Sequence, residues 1–162
     1  MVVQAGKAAL LLRYSDYRNT EFIQEHNKIV SKQGYVWLLK AGRRLVENKL
    51  AKVKKESSLI ILKAPKGKGG DYYYAEILDY RYGRQINEGE SPEYYKNLPG
   101  DEKLWQIESL DGTWIKIGQI NPICKELMDK FVLLSNEKSV VDVINSTMSA
   151  VLYICCKEEM TL

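Results

Sequence analysis

Trp37 is the residue of this sequence with the clearest chemical use. It lies in the run 34–40, whose aromatic, β-branched and apolar residues indicate a β-strand. The segment 41–57 that follows is rich in lysine and arginine, so the strand would end beside positive charge. An aromatic face next to cations can stack a nucleobase and hold its phosphates. The alternative is that Trp37 belongs to the hydrophobic core, because tryptophan is usually highly buried.

Tyrosine strengthens the binding interpretation. The chain of 162 residues has 11 tyrosines and only 2 phenylalanines. A ring with a polar tip suits a binding surface that is partly wet, although it also suits the edge of a small β-barrel. Basic segments bracket the predicted strands that carry the aromatic residues Tyr35, Trp37, Tyr72, Tyr74 and Trp114.

Catalytic and cofactor motifs are missing from the sequence. The segment 65–70 lacks the Gly-Lys-Ser/Thr ending of a nucleotide-binding loop, and the three cysteines have no zinc-ligand spacing. The only histidine, His26, falls on the apolar stripe of a predicted helix with no nucleophile or acid spaced around it, so we expect a packing role. The sequence therefore predicts a binding domain without enzymatic activity, cofactor or metal.

Composition and charge limit the cellular compartments and the kinds of binding partner that we expect for this protein. With 45% hydrophobic and 28% charged residues the chain resembles a soluble globular protein. The net charge of +3 is small, so a site for a polyanion must come from local clustering. No apolar run reaches about 18 residues, and the N-terminus lacks the pattern of a signal peptide. We expect a cytoplasmic protein with reduced cysteines and no membrane partner.

The hydrophobic pattern predicts an α+β fold. The predicted helices are 20–33, 122–130 and 140–146, and the predicted strands are 8–14, 34–40, 58–64, 72–80, 104–110, 113–120, 131–135 and 150–156. Strands 58–64 and 72–80 would form a hairpin, as would the two strands around Asp111-Gly112. Segment 41–57 is compatible with a helix or an extended chain, 81–103 is the longest irregular segment, and 157–162 is a polar tail. We expect one domain over 1–162, a compact and partly open β-barrel of about six strands flanked by helices.

The order of these motifs resembles that of the PUA-like group, which includes YTH, EVE and ASCH domains. The resemblance covers about residues 8–125 and is carried by Arg13-Tyr14-Ser15-Asp16, Tyr35-Val36-Trp37, Leu59–Leu62, Tyr74-Ala75-Glu76-Ile77 and Gly112–Ile117. YTH and EVE domains hold a flipped, modified base in an aromatic cage. Similar domains form the N-terminal DNA-recognition part of McrBC-type restriction systems. The resemblance implies a reader of methylated DNA, with methylated adenine slightly favoured. It also implies that other domains of a restriction complex are partners, and that any GTPase or nuclease activity lies outside this chain.

The resemblance also implies site residues. Trp37 matches the first cage tryptophan, Trp105 is the best match for the second, and Trp114 is the next. Tyr35 lies on the same strand face as Trp37 and is included in the cage. The segment that hydrogen-bonds the base edge corresponds to Ser15, Asp16 and Tyr17.

Phosphate contacts are expected from Lys40 and from the two basic segments 41–57 and 65–70. The predicted phosphate-binding residues are Lys40, Arg43, Arg44, Lys49, Lys52, Lys66 and Lys68. The alternative for both segments is an ordinary solvated surface. Two other functions stay open, a PUA-like RNA-binding module without modified-base preference and a small-molecule nucleotide-binding protein.

Overall fold

A computed structural model describes residues 1–16, 20–64, 71–83, 87–97 and 112–162. Their contacts divide the chain into two compact units. Unit 1 comprises residues 1–14, 48–75 and 121–162, and unit 2 comprises residues 15–47 and 76–120. The described residues include ten strands, four α-helices and one 3-10 helix.

The strands are β1 (Val2–Val3), β2 (Ala9–Arg13), β3 (Val36–Ala41), β4 (Leu59–Lys63), β5 (Tyr72–Tyr82), β6 (Gly112–Ile117), β7 (Asn121–Ile123), β8 (Phe131–Leu133), β9 (Val151–Cys156) and β10 (Met160–Thr161). The helices are α1 (Phe22–Gln33), α2 (Glu47–Glu56), α3 (Lys125–Met128), α4 (Val140–Ser146) and the 3-10 helix Glu93–Asn97. Helix α1 is capped at its C-terminus by Gly34, whose φ of 87° favours glycine and whose N–H donates to the carbonyl of Val30.

Unit 1 is built around the apolar strands β2 and β4. They pair in parallel, β9 pairs antiparallel with β2, and β8 pairs antiparallel with β9. The first residues of β5 pair with β7, and β5 neighbours β4 as the predicted hairpin requires. Leu11 and Ile61 are buried in one core cluster with Phe131, Met128 and Ile144. Both strands are apolar at every position but the last, and such runs are typical of a sheet covered on both faces.

Unit 2 is built around β6, which pairs antiparallel with β3 on one side and with the second half of β5 on the other. The register of the β5–β6 pair shifts between Ile77 and Asp79, where β5 has a bulge or irregularity. Helix α1 packs against β3 and buries Phe22, His26 and Val30. These three residues follow the four-residue spacing of one helical face.

The α+β class is confirmed, with mostly antiparallel pairing and helices between the strands. The described strands do not close into a barrel in either unit, and the parallel β2–β4 pair was not predicted. Segment 41–57, for which a helix and an extended chain were both compatible with the sequence, contains a helix. Leu50 and Val53 lie three positions apart on it, and both are buried. The prediction of a polar tail over 157–162 was wrong in part, since Met160–Thr161 forms a strand that pairs with β1. The predicted turn at 65–70 and strand at 104–110 lie outside the described residues.

No helix within the described ranges has both the length and the apolar character needed to cross a lipid bilayer.

Candidate functional site

The pairing of strands in unit 2 brings two tryptophans together. Leu39 of β3 lies opposite Trp114 of β6, and Trp37 lies opposite Lys116. Residues directly opposite in an antiparallel pair project from the same face, so both tryptophans share one face of the sheet. Tyr95 of the 3-10 helix packs against them, with its ring centroid 6.2 Å from that of Trp114. We call the buried residues Trp37, Tyr95 and Trp114, with the half-buried Tyr35, Leu39 and Tyr94 around them, the aromatic cluster.

Two cations lie over the rings of the aromatic cluster. The Cζ atom of Arg81 is 4.9 Å from the centroid of the Trp37 ring. The Nζ atom of Lys116 is 4.0 Å from the centroid of the Tyr35 ring and 6.0 Å from that of Trp37. These distances fall within the range of a cation–π interaction. Arg81 is exposed and Lys116 is half-buried, so an exposed cation already lies over the indole ring.

A chain of neutral hydrogen bonds fixes Tyr95. His26 Nδ1 lies 2.7 Å from the carbonyl oxygen of Phe22, which can only accept, so Nδ1 carries the imidazole proton. His26 Nε2 therefore accepts from the Tyr95 hydroxyl at 2.5 Å, and the N–H of Leu39 donates to the same hydroxyl at 3.3 Å. His26 is 0% exposed, and burial lowers its pKa to about 4 against the opposing effect of the Phe22 hydrogen bond. Burial also raises the pKa of Tyr95, so the pair is uncharged at neutral pH.

Residues 90–95 also cover the open edge of β3. The N–H of Trp37 donates to the carbonyl of Glu90 at 2.8 Å, and the Ser91 hydroxyl donates to the carbonyl of Trp37 at 2.9 Å. The Tyr35 hydroxyl donates to the Glu90 carboxylate at 2.6 Å, and this hydrogen bond raises the pKa of Tyr35. The N–H and the carbonyl of Trp37 thus both find partners in a single short segment.

The predicted cage residues are brought together only in part. Trp37, Trp114 and Tyr35 all belong to the aromatic cluster, but Trp37 and Trp114 are each only 2% exposed. The burial of Trp37 is what the core alternative predicts, and a base can stack on its ring only after Arg81 or residues 90–95 move. The role of Trp37 in a cage stays a prediction.

The remaining base-binding residues lie near the start of α1 or outside the described residues. Asp16 accepts the N–H of Phe22 at 2.9 Å. The pKa of Tyr94 is raised, mainly by the burial of its hydroxyl and further by the negative charge of Asp16. Ser15 is exposed. Tyr17 and Trp105 lie outside the described residues.

The predicted phosphate-binding residues do not form one group. Arg43 and Arg44 are exposed in unit 2, and Lys40 is half-buried there with a lowered pKa caused by burial. Lys49 and Lys52 are exposed on α2 of unit 1, where Lys52 lies 3.9 Å from Glu56. Lys66 and Lys68 lie outside the described residues.

Sequence reasoning missed Arg81, Tyr94 and Tyr95 as parts of this site. Arg81 was placed at the start of an irregular segment, whereas β5 continues to Tyr82. The alternation of polar and aromatic residues through 79–82 was the available signal. The positions of Tyr94 and Tyr95 depend on contacts across the chain that no local pattern encodes.

The arrangement provides stacking surfaces and positive charge, which is binding chemistry. Within the described ranges no three His, Cys, Asp or Glu side chains are grouped so that they could hold a metal ion. The buried, neutral His26 is committed to its two hydrogen bonds, as the predicted packing role requires.

The burial of His26 predicts a loss of stability in acid. Because the pKa of His26 is lower in the folded state, the neutral imidazole contributes to the free energy of unfolding. That contribution is complete above the unfolded pKa of about 6.5 and is lost as the pH falls towards 4. Between pH 7 and pH 4.5 this group should lower the free energy of unfolding by about 2 kcal/mol. Urea unfolding at the two pH values measures it. The control is His26→Gln, whose amide can make both hydrogen bonds but does not titrate. Equal pH dependence in the two proteins would contradict the assignment.

Comparison with known proteins assigns no family. No family model, no curated protein and no solved structure matches the chain. The resemblance to PUA-like domains therefore stays a prediction.

Proposed function

We propose that the chain is a nucleic-acid-binding reader domain that receives a flipped base on the aromatic cluster. The observation that supports this proposal is the position of the Arg81 guanidinium, whose Cζ atom lies over the Trp37 ring at 4.9 Å from its centroid. The guanidinium is planar and occupies the indole face on which a base would stack. Because Arg81 is exposed, its side chain can rotate into solvent and then contact a phosphate of the same ligand.

The energies of this exchange favour the base. An exposed cation–π contact contributes about 0.5–1 kcal/mol, whereas stacking of a base on an aromatic side chain contributes about 1–3 kcal/mol. Extrusion of the base from a duplex costs a few kcal/mol. Contacts to the phosphates must therefore supply most of the affinity, and the exposed Arg43 and Arg44 of unit 2 can provide them.

The finer proposal follows the resemblance. We propose methylated DNA as the ligand, with methylated adenine slightly favoured, a partly open PUA-like barrel as the fold, and a McrB-like restriction complex in the cytoplasm as the setting. In this proposal the chain recognises the site and has no enzymatic activity of its own. A methyl group transferred to a dry aromatic site contributes about 0.8 kcal/mol, so the preference for the methylated base should be about fourfold.

Replacement of Trp37 should remove the preference for methylated DNA. Trp37→Ala is expected to bind methylated and plain duplexes with equal affinity, because the stacking surface is lost. Fluorescence anisotropy with matched duplexes containing adenine or N6-methyladenine measures this. Alanine at Arg43 and Arg44 is the control, since it should weaken binding to both duplexes equally. A Trp37→Ala protein that is folded by circular dichroism and retains the preference would contradict the cage.

Replacement of Arg81 should expose the ring of Trp37 without disturbing the core. Arg81→Ala is expected to bind the uncharged nucleoside N6-methyladenosine about two- to fivefold more tightly, because the competing guanidinium is gone. Quenching of tryptophan fluorescence measures the affinity. The exposed Lys28→Ala in the same unit is the matched control and should leave the affinity unchanged. Weaker binding by Arg81→Ala would contradict base stacking on Trp37.

Binding to DNA should depend steeply on salt. The logarithm of the association constant should fall linearly with the logarithm of salt concentration, with a slope of about −0.9 for each phosphate neutralised. A titration series between 50 and 200 mM KCl measures the slope. Salt-insensitive binding of a mononucleotide would favour the small-molecule alternative. Preference for single-stranded RNA in competition would favour the RNA-binding alternative.

A further inference from the structure

Two cationic side chains lie side by side at the ends of parallel strands in unit 1. Arg13 is the last residue of β2, Lys63 is the last residue of β4, and the two are partners in the register of the pair. The carboxyl ends of parallel strands are a common place for ligands in α/β sheets. Here they open on a pocket of about 470 Å³ lined by Arg13, Lys63, Ile144, Asn145, Thr147 and Met148.

Three backbone carbonyls hold the side chain of Arg13. Its guanidinium donates to the carbonyls of Ile144 and Thr147, and its Nε atom donates to the carbonyl of Ser149 at 3.1 Å. Two of these carbonyls belong to the end of α4 and its cap, where backbone acceptors lack partners within the helix. Carbonyls are neutral, and no carboxylate in the described ranges forms an ion pair with Arg13. The positive charge therefore remains available to a ligand.

Lys63 is a buried cation in surroundings that are more positive than negative. It is 8% exposed, its ammonium donates to the carbonyl of Ala64 at 3.2 Å, and it lies 4.9 Å from the centroid of the Tyr72 ring. Burial lowers its pKa most, the charge of Arg13 lowers it further, and Asp71 opposes the shift. Across the described residues, no carboxylate oxygen lies within 4 Å of the ammonium. A buried charge without a counter-ion is costly, and an anion in the pocket would remove that cost.

We infer that this pocket is a binding site for a phosphate group. Lys63 and Arg13 supply two positive charges, and the Thr147 hydroxyl accepts the N–H of Ser149, which leaves its own proton to donate. The pocket is larger than one phosphate, and Met148 at its rim is fully exposed, so the ligand is a phosphate ester with an organic part. The ester is either a phosphorylated small molecule or a phosphodiester of a nucleic acid. The site belongs to unit 1 and does not depend on the aromatic cluster of unit 2.

Calorimetric titration with inorganic phosphate at constant ionic strength tests the site. The unaltered protein should bind phosphate, and Lys63→Met, which keeps the buried stem and removes the charge, should not. Lys157→Met is the matched control, because Lys157 is an exposed lysine of the same unit that does not line the pocket. In urea unfolding, phosphate at ten times its Kd should raise the ratio of folded to unfolded protein about elevenfold. Phosphate binding by Lys63→Met equal to that of the unaltered protein would overturn the site.

Asp71→Asn provides a second test that does not disturb the core. Asp71 is exposed and its negative charge opposes an anion near Lys63, so the variant should bind phosphate severalfold more tightly. Weaker binding by this variant would overturn the site even if Lys63→Met failed to fold.

Methyl phosphate and dimethyl phosphate distinguish the two sources of the ligand. Binding of methyl phosphate alone supports a phosphomonoester, binding of both supports a phosphodiester, and binding of neither overturns the site. Arg81→Ala should bind phosphate like the unaltered protein. The phosphate site and the base site can therefore fail separately.

Discussion

Unit 2 depends on one constraint: the backbone groups on the outer side of β3 need hydrogen-bond partners. A strand at the edge of a sheet presents backbone N–H and carbonyl groups that need partners when they are buried. Here the N–H of Trp37, the carbonyl of Trp37 and the N–H of Leu39 are satisfied by Glu90, Ser91 and Tyr95. A buried polar group without a partner costs about 1–3 kcal/mol, so this segment cannot leave the strand without a penalty. The cover of β3 and the burial of Trp37 are therefore one structural feature.

Tyr95 connects this cover to α1. Its hydroxyl donates to His26 and accepts from Leu39, while its ring packs on Trp114. The segment 90–95 is thus anchored at its end by a buried polar group on a helix. By contrast, Arg81 lies over the Trp37 ring with an exposed side chain. A ligand that reaches the indole is therefore expected to displace the arginine and leave the segment in place.

Sequence patterns predicted the elements better than their arrangement. Strands β2, β4 and β9 were predicted because each is a nearly continuous apolar run, and helix α1 because its apolar residues repeat along one face and Gly34 marks its end. Helix α2 was left open because lysines interrupt its apolar stripe, and only the burial of Leu50 and Val53 shows its period. Strand β10 has two residues, which is too short for any periodicity. Its partner β1 is at the other end of the chain.

The site was predicted where neighbouring strands share a face. Tyr35, Trp37 and Trp114 could be grouped because alternation along a strand fixes the face on which each residue lies. The sequence left the burial of Trp37 open between a cage and the core, because burial depends on residues 90–95, which no local pattern links to β3. The neighbouring positions of Arg13 and Lys63 were missed for a similar reason. They follow from the parallel pairing of β2 and β4, and the intervening 45 residues carry no signal of that pairing.

The two units alternate along the sequence, and this has a consequence for how the protein is made. Unit 1 uses three separate stretches, and β2 in the first of them pairs with β9 in the last. Neither unit can be excised as one continuous fragment. Closure of so long a loop must precede the stabilising contacts, and this slows folding. During synthesis on the ribosome, the nascent β2 has to wait for the final third of the chain before its sheet is complete.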